Sequence, residues 1–287
     1  MSDIGSDTLR AGVMGWPVSH SLSPRLHGHW LTQYKIKGTY EAIAVRPEGL
    51  ADALSSLAEE GYRGVNLTVP HKEAALALVD KIDDTARRIG AINTIVVADD
   101  GALAGSNTDA FGFIENLRDH VPDQVAAGWS ARPAVILGAG GAARAVCTAL
   151  LDCGVADIRL VNRTAERAAA LAETLPGLAA CATLCAWNDR AGALAEAGLL
   201  VNTTVLGMAG QEPLDLDLTD LPNDATVNDI VYAPLVTDLL AQARGRGNPV
   251  VDGLGMLLHQ ARPGFRAWFG ADPVVDAGLR RAVLAGL

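Results

Sequence analysis

The sequence predicts two successive α/β domains, each with helices packed on a sheet rich in parallel strands. Three observations support this. Apolar strand-like runs alternate with helix-like segments over the first hundred or so residues, the alternation restarts at Ala134 after a connecting helix, and the restart opens on a glycine-rich turn. In order, the first half reads as strand LRAGVMG, helix SPRLHGHWLTQY, strand TYEAIAV, helix PEGLADALSSLAEEG, strand GVNLTV, helix KEAALALVDKI and strand AINTIVVA, giving a largely parallel sheet. Asp99, Asp100 and Gly101 mark a turn into ALAGSNTD, and AFGFIENLRDH begins the connecting helix, which places a boundary near Ala110. The second half reads as AVIL followed by a helix, IRLVNRT, a helix from Ala165 to Leu175, then strands within LLVNTTVLGM, TVNDIVY and VVDG. The closing stretches GMLLHQARPGFRAWFG and AGLRRAVLAGL carry only helical signals and can return to complete the first domain.

Composition narrows the function classes. With 287 residues, 49% hydrophobic and 20% charged, the chain can fill two cores and lacks the make-up of a disordered protein. A formal charge of -10 argues against a nucleic-acid partner, which needs a basic face, so an anionic ligand must rely on local donors. No charged segment followed by an apolar run opens the sequence, and no apolar run is long enough to span a bilayer, so a cytoplasmic location is expected. Cys147, Cys153, Cys181 and Cys185 contain no C-x-x-C pair and read as reduced structural thiols. The histidines form no H-E-x-x-H array, and no metal is expected.

Ala134 to Leu137 lead directly into Gly138-Ala139-Gly140-Gly141-Ala142-Ala143 and a helix of apolar period. A G-x-G-x-x-A turn between strand and helix lets the backbone approach a pyrophosphate, which meets the free N–H groups and positive potential of the helix start. The plainer reading is a tight turn that packs helix on strand. About twenty residues on, where an NAD site usually carries an acid for the ribose 2'-hydroxyl, stands Asn162-Arg163-Thr164, with Arg167 one turn later. Two arginines suit a 2'-phosphate, and at roughly 1.5–3 kcal/mol per charge-assisted bond they favour NADP by about a hundredfold or more. Solvated arginines on a surface helix would look the same.

The segment NLTVPHK, Asn66 to Lys72, adds a second kind of chemistry. Strand alternation points Asn66 and Thr68 to one face and Leu67 and Val69 to the other. Pro70 ends the strand, which puts Lys72 in the first turn of the expected helix. There the helix dipole and any burial depress the lysine pKa unless a carboxylate stands nearby. Asp109, closing SNTD, is the candidate carboxylate and forms a proton-transfer pair with Lys72. Taken singly, Asp109 is explained as a helix N-cap and Lys72 as a solvated surface charge.

GWPVSHSLSP (Gly15 to Pro24), NLTVPHK, GAINTI, SNTD, GAGGAA, NRT, NTTVLGM, NDIVY and GLGMLLHQA resemble, in order and spacing, the signatures of the shikimate dehydrogenase family, from about Gly12 to the last helices. The resemblance implies a substrate-binding domain at residues 1–110 completed by helices within 253–287, a Rossmann NADP-binding domain at 111–252, and a cleft between them. It implies reversible NADP-dependent reduction of 3-dehydroshikimate to shikimate, on the route to chorismate and the aromatic amino acids. Ser21 and Ser23 would hold the substrate carboxylate, and Asn66, Thr68, Asn93 and Gln260 would surround the ring. Lys72 would donate and accept the proton, with Asp109 polarising it. Gly138, Gly140, Gly141, Ala142, Asn162, Arg163, Thr164 and Arg167 would contact the nucleotide. Thr203, Tyr232, Gly253 and Met256 would lie near the nicotinamide or, for Tyr232, the substrate. Ser23 also fits an N-cap with Pro24 at the helix start, and Tyr232 and Met256 also fit as core side chains. His71, Val205 and Ala233 depart from the pattern, which bears on local loop geometry. A proton relay through His71 is disfavoured, since neighbours on an extended segment point apart.

Quinate/shikimate and aminoshikimate dehydrogenases are the near alternatives, and the arginines at 163 and 167 favour an NADP enzyme over the NAD-using relatives. Methylene-tetrahydrofolate dehydrogenase would carry Tyr where Thr68 stands. A non-enzymatic NADPH sensor would have no need of Lys72, Asp109 and the paired serines. Monomer and homodimer both fit the sequence.

Overall fold

The computed structural model describes residues 8–127 and 132–286. The chain divides into two compact units, one formed by Met1–Thr108 with Gln260–Leu287 and the other by Asp109–His259.

The first unit holds β1 (Leu9–Gly15), α1 (Ser23–Gln33), β2 (Gly38–Ala44), α2 (Leu50–Ser55), β3 (Tyr62–Leu67), β4 (Lys81–Ile82), α3 (Asp84–Ile89), β5 (Thr94–Val97) and β6 (Leu103–Ser106). These strands form one sheet in the order β2-β1-β3-β5-β6-β4. β1 runs parallel to β2 and β3, and β4 parallel to β6, whereas β5 is antiparallel to both β3 and β6. The sheet is parallel-rich, as the alternation implied, with one hairpin that it did not flag. That hairpin turns at Gly101, whose φ of +85° suits glycine, and is closed by Ala98 and Ala102.

The expected helix KEAALALVDKI does not form. Lys72 and Glu73 lie in a turn, Ala74–Ala77 make a single 3-10 turn, and Lys81–Ile82 become β4. Pairing with β6 overrides the helical spacing. The Asp80 N–H donates to the Leu103 carbonyl at 3.0 Å, and the Leu103 N–H donates to the Asp80 carboxylate at 2.8 Å. The helix that follows, α3, starts beyond that pairing, where the Asp83 carboxylate caps it by accepting the Ala86 N–H. Likewise PEGLADALSSLAEEG contains only the short helix α2 after a 3-10 turn.

One buried cluster of this unit gathers Met14, Leu50, Leu54, Leu57, Val65, Leu67, Ile92 and Ile95. A second is aromatic: His27 of α1 stacks on Tyr40 of β2 with ring centroids 3.9 Å apart, beside Trp30, Phe265 and Trp268. The last two belong to α9 (Leu254–Phe269), and α10 (Ala277–Leu284) packs on α1. Trp268 donates its indole N–H to the Ile95 carbonyl at 3.0 Å and lies directly over Gly64, where a Cβ would collide with the indole and with that carbonyl.

The second unit holds α4 (Asp109–His120), α5 (Pro122–Ala126), β7 (Ala134–Leu137), α6 (Gly141–Asp152), β8 (Ile158–Asn162), α7 (Ala165–Thr174), β9 (Ala182–Ala186), β10 (Leu199–Asn202), β11 (Thr226–Asp229), α8 (Asp238–Arg246), β12 (Val250–Val251) and the start of α9. Its six strands are all parallel, in the order β12-β11-β10-β7-β8-β9. The chain steps outward from β7 to β9 and then returns to β10 on the other side of β7. This reversal opens a crevice at the carboxyl ends of β7 and β10, where ligands of such sheets bind. β9 and α8 were not legible as elements. β9 is an edge strand whose burial is only partial, so it lacks a continuous apolar run.

Gly64→Ala should lose about 2 kcal/mol or more of stability in urea unfolding, since φ there is +150° and the added carbon has no space. Burial lowers the His27 pKa from 6.5 to about 3. Below about pH 6.5 the unfolded chain binds a proton that the folded chain refuses until about pH 3, so acidification should reduce stability with a slope approaching about 1.4 kcal/mol per pH unit. His27→Phe should remove that part of the slope, as measured by urea midpoints across the range; an unchanged slope would contradict the assignment.

Candidate active site

In the first unit, three strands bring polar groups to one end of the sheet. The Leu67 N–H donates to the Asn93 carbonyl at 2.8 Å, and the Asn93 N–H donates to the Ser106 carbonyl at 3.0 Å, so the residue before β5 is pinned between β3 and β6. Its side-chain oxygen accepts from the Thr108 N–H at 2.9 Å and from the Thr94 hydroxyl at 2.9 Å. The Thr108 hydroxyl stands 2.8 Å from the Gln260 carbonyl and 3.1 Å from the same Asn93 oxygen, and can give its one proton to either. With its oxygen so engaged, Asn93 offers its amide N–H2, which lies 3.5 Å from the Gln260 side-chain oxygen. Asn93 and Gln260, 167 residues apart in the chain, thus share one spot.

Asn66 stands behind them. Its amide protons go to the Asn93 carbonyl and the Thr94 hydroxyl, each at 3.0 Å, and its oxygen accepts the Tyr40 hydroxyl at 2.6 Å. Ser23 in turn hydrogen-bonds the Tyr40 oxygen, whose pKa burial pushes well above 10. A continuous polar chain therefore runs from Ser23 through Tyr40 and Asn66 to Asn93. Thr68 follows β3, with its N–H on the Met14 carbonyl and its methyl against Gly15, where no Cβ would fit. The Lys72 carbonyl accepts the Ile92 N–H at 2.8 Å, which ties the lysine to the segment leading into Asn93. Since no α-helix begins at Lys72, the helix-dipole argument for it lapses. His71 is buried, with Nε2 2.8 Å from the Val45 carbonyl; a carbonyl only accepts, so the ring is occupied structurally.

The serine loop also differs from the N-cap reading. Leu22 is the cap residue of α1 and Ser23 its first helical residue, while the Ser21 hydroxyl accepts the Ser23 N–H at 3.3 Å. Asp109 is the first residue of α4 in the second unit, immediately after Thr108.

The second unit carries the nucleotide motif. Gly138 has φ of +110°, lies against the Thr203 hydroxyl where a side chain would collide, and donates its N–H to the Val161 carbonyl. Thr203 donates its hydroxyl to the Leu137 carbonyl at 2.6 Å, so it fixes the turn from the β10 side. Gly140 is the N-cap of α6, and a Cβ on Gly140 or Gly141 would meet nothing within 4 Å. Those two glycines therefore face open space at the exposed start of a 12-residue helix, with Ala142 next to them, which fits a pyrophosphate cradle. Asn162 ends β8 and holds the turn by donating to the Thr164 carbonyl at 2.7 Å, leaving Arg163 and Arg167 exposed. Gly253 is buried with its Cα against the backbone of Ile230 and Val231; backbone approach alone accounts for glycine there. Burial raises the half-buried Tyr232 hydroxyl, and Met256 is half-buried on α9. Among the described residues no group of three or more His, Cys, Asp or Glu side chains could hold a metal ion, and no helix is long and apolar enough to cross a membrane.

Sequence reasoning did not single out Tyr40, Thr94 or Thr108. Thr94 opens the apolar strand β5, Thr108 lies within the polar run SNTD, and Tyr40 is the one buried side chain of β2.

The profile of the shikimate dehydrogenase substrate binding domain matches residues 13–95, and that of shikimate / quinate 5-dehydrogenase matches residues 121–206. The chain is 59% identical to the NADP(+) shikimate dehydrogenase of Paramagnetospirillum magneticum over 96% of its own length and 98% of that protein. The chain belongs to the shikimate dehydrogenase family. Among solved members of similar fold, the shikimate 5-dehydrogenase of Thermus thermophilus in complex with NADP(H) and shikimate is 39% identical, with a TM-score of 0.83 over 98% of this chain and 100% of that one. The quinate dehydrogenase of Corynebacterium glutamicum in complex with NAD is 30% identical, with a TM-score of 0.89 over 98% and 100%. Structures of this fold thus include complexes with each of the two cofactors.

Tyr40→Phe should cost about 1–3 kcal/mol in urea unfolding, because it strips the buried Asn66 oxygen of its donor. A neutral substitution would show that the chain from Ser23 to Asn93 is not coupled through Tyr40.

Proposed function

We propose that the protein is an NADP-dependent shikimate dehydrogenase that reduces 3-dehydroshikimate reversibly to shikimate, a step towards chorismate and the aromatic amino acids. The observation that carries this reading is the convergence of Gln260, Asn66, Thr94 and Thr108 on Asn93, with the Lys72 backbone tied to the residue before Asn93 and Ser23 joined to the cluster through Tyr40. A ring bearing one carboxylate and several hydroxyls needs such a set: donors for the anion, amides for the hydroxyls, and an acid at the carbonyl.

Ser21 and Ser23 receive the carboxylate beside the α1 N-terminus, Ser23 turning its one hydroxyl proton from Tyr40 to the anion, a neutral anion site in a negatively charged protein. The Asn93 amide N–H2 and Gln260 orient the ring, Asn66 holds Asn93 in place, and Thr68 and Tyr232 complete the contacts. Lys72 gives a proton to the carbonyl oxygen as charge develops on it and takes the proton back in the oxidation, with Asp109 holding and polarising it. Gly138, Gly140, Gly141 and Ala142 cradle the pyrophosphate, Asn162, Arg163, Thr164 and Arg167 receive the 2'-phosphate, and Thr203, Gly253 and Met256 border the nicotinamide. NADPH bound there supplies the hydride. Residues 1–110 with the closing helices serve as the substrate domain and 111–252 as the cofactor domain; the protein acts in the cytoplasm, as a monomer or homodimer.

Lys72→Ala should lower kcat for shikimate oxidation by about a hundredfold to ten-thousandfold with little change in KM. A change confined to KM would make Lys72 a binding residue, and a wild-type protein inert towards shikimate would overturn the reading. Arg163→Ala should raise the KM for NADP by about tenfold to a hundredfold while leaving that for NAD and the limiting rate near their wild-type values.

A further inference from the structure

A cavity of about 270 Å³ opens at the carboxyl ends of the second sheet, lined among others by Asn162, Arg163, Trp187, Thr204 and Leu206. It lies over strands β8, β9 and β10, on the side of the Gly140–Gly141 turn towards which the chain steps from β7 to β9. Its volume is below the roughly 300–1,000 Å³ of sites that enclose a whole ligand, so it suits one end of an extended one. Arg163, at its rim, belongs to the set given above to the 2'-phosphate. The group attached to that phosphate is an adenosine, and its flat base needs a flat wall.

Trp187 provides one. It follows β9 directly, is half-buried against the core of the unit, and presents the rest of its indole to the cavity. Its position is held by Arg190, which with Asp215 lines the same cavity. The Arg190 guanidinium stands 5.2 Å from the ring centre, donates to the Trp187 carbonyl at 3.0 Å and to the Asp215 carbonyl at 2.9 Å, and faces the Asp215 carboxylate at 3.7 Å. Asp215 compensates the charge of Arg190, so Arg190 is a clamp on the indole, and Arg163 remains the cation for phosphate. We infer that Trp187 is the stacking wall for the cofactor's adenine, with Arg190 as the positioning residue that holds it. The inference rests on the proposed NADP reading and adds residues outside every motif that carried it.

The test uses adenosine 2',5'-bisphosphate, which lacks the nicotinamide, titrated calorimetrically into the full-length protein. Trp187→Ala should weaken its binding by about tenfold or more, and Trp187→Phe should restore it to within about threefold. Arg190→Gln should weaken it by less than Trp187→Ala. A fluorescence readout serves if Trp187→Ala fails to fold: the part of the emission lost in Trp187→Phe should be quenched when the ligand binds the wild type. Equal affinity of wild type and Trp187→Ala, or no quenching of that component, would overturn the inference while leaving the NADP reading intact. A wild-type protein that does not bind the bisphosphate would overturn both.

Discussion

The site depends on one pinned residue. Asn93 is held by its own peptide between β3 and β6, its side-chain oxygen is filled by Thr94 and Thr108, and its amide group is left to face Gln260. Because β5 runs antiparallel between two strands, the start of β5 meets the ends of β3 and β6, so NLTVPHK, GAINTI and SNTD arrive at the same place. Moving Asn93 would leave several buried donors unpaired at once, at about 1–3 kcal/mol each, so the fold resists doing so. Rigidity of this kind serves recognition, since polar groups already paired with one another lose little freedom when a ligand arrives.

The same economy explains how an acidic protein can bind anions. With a formal charge of -10, long-range attraction works against phosphate and carboxylate, and affinity has to come from groups placed at contact distance. In the proposed reading, the open glycines at the start of α6 and the exposed arginines after β8 would be such groups in the second unit, and the hydroxyls beside α1 their uncharged counterpart in the first.

Most of the architecture was legible because strand and helix periods differ. β1, α1, α6, α7 and the fully apolar β7 sit within a residue or two of where their patterns place them. The failure at KEAALALVDKI has a plain cause: alanines and leucines at helical spacing were read locally, while the Asp80 pairing to Leu103 that makes this segment an edge strand comes from residues over twenty positions away. Gly101 signalled the hairpin turn but not that β5 would insert antiparallel between β3 and β6. The candidate site was legible as motifs, and the distances that join Asn93 to Gln260 across 167 residues were not. Tyr40, which links Ser23 to Asn66, was not legible as part of the site because a buried tyrosine in a strand is ordinarily a packing residue.

The central claim is that the Asn93 cluster and the arginines after β8 together select one acid and one cofactor. Initial rates of the purified protein with shikimate and with quinate, each paired with NADP and with NAD, test it most directly. The account predicts that the pairing of shikimate with NADP dominates the four. Comparable rates with quinate or with NAD would contradict the selectivity assigned to these residues, and an absence of turnover in all four would contradict the activity itself.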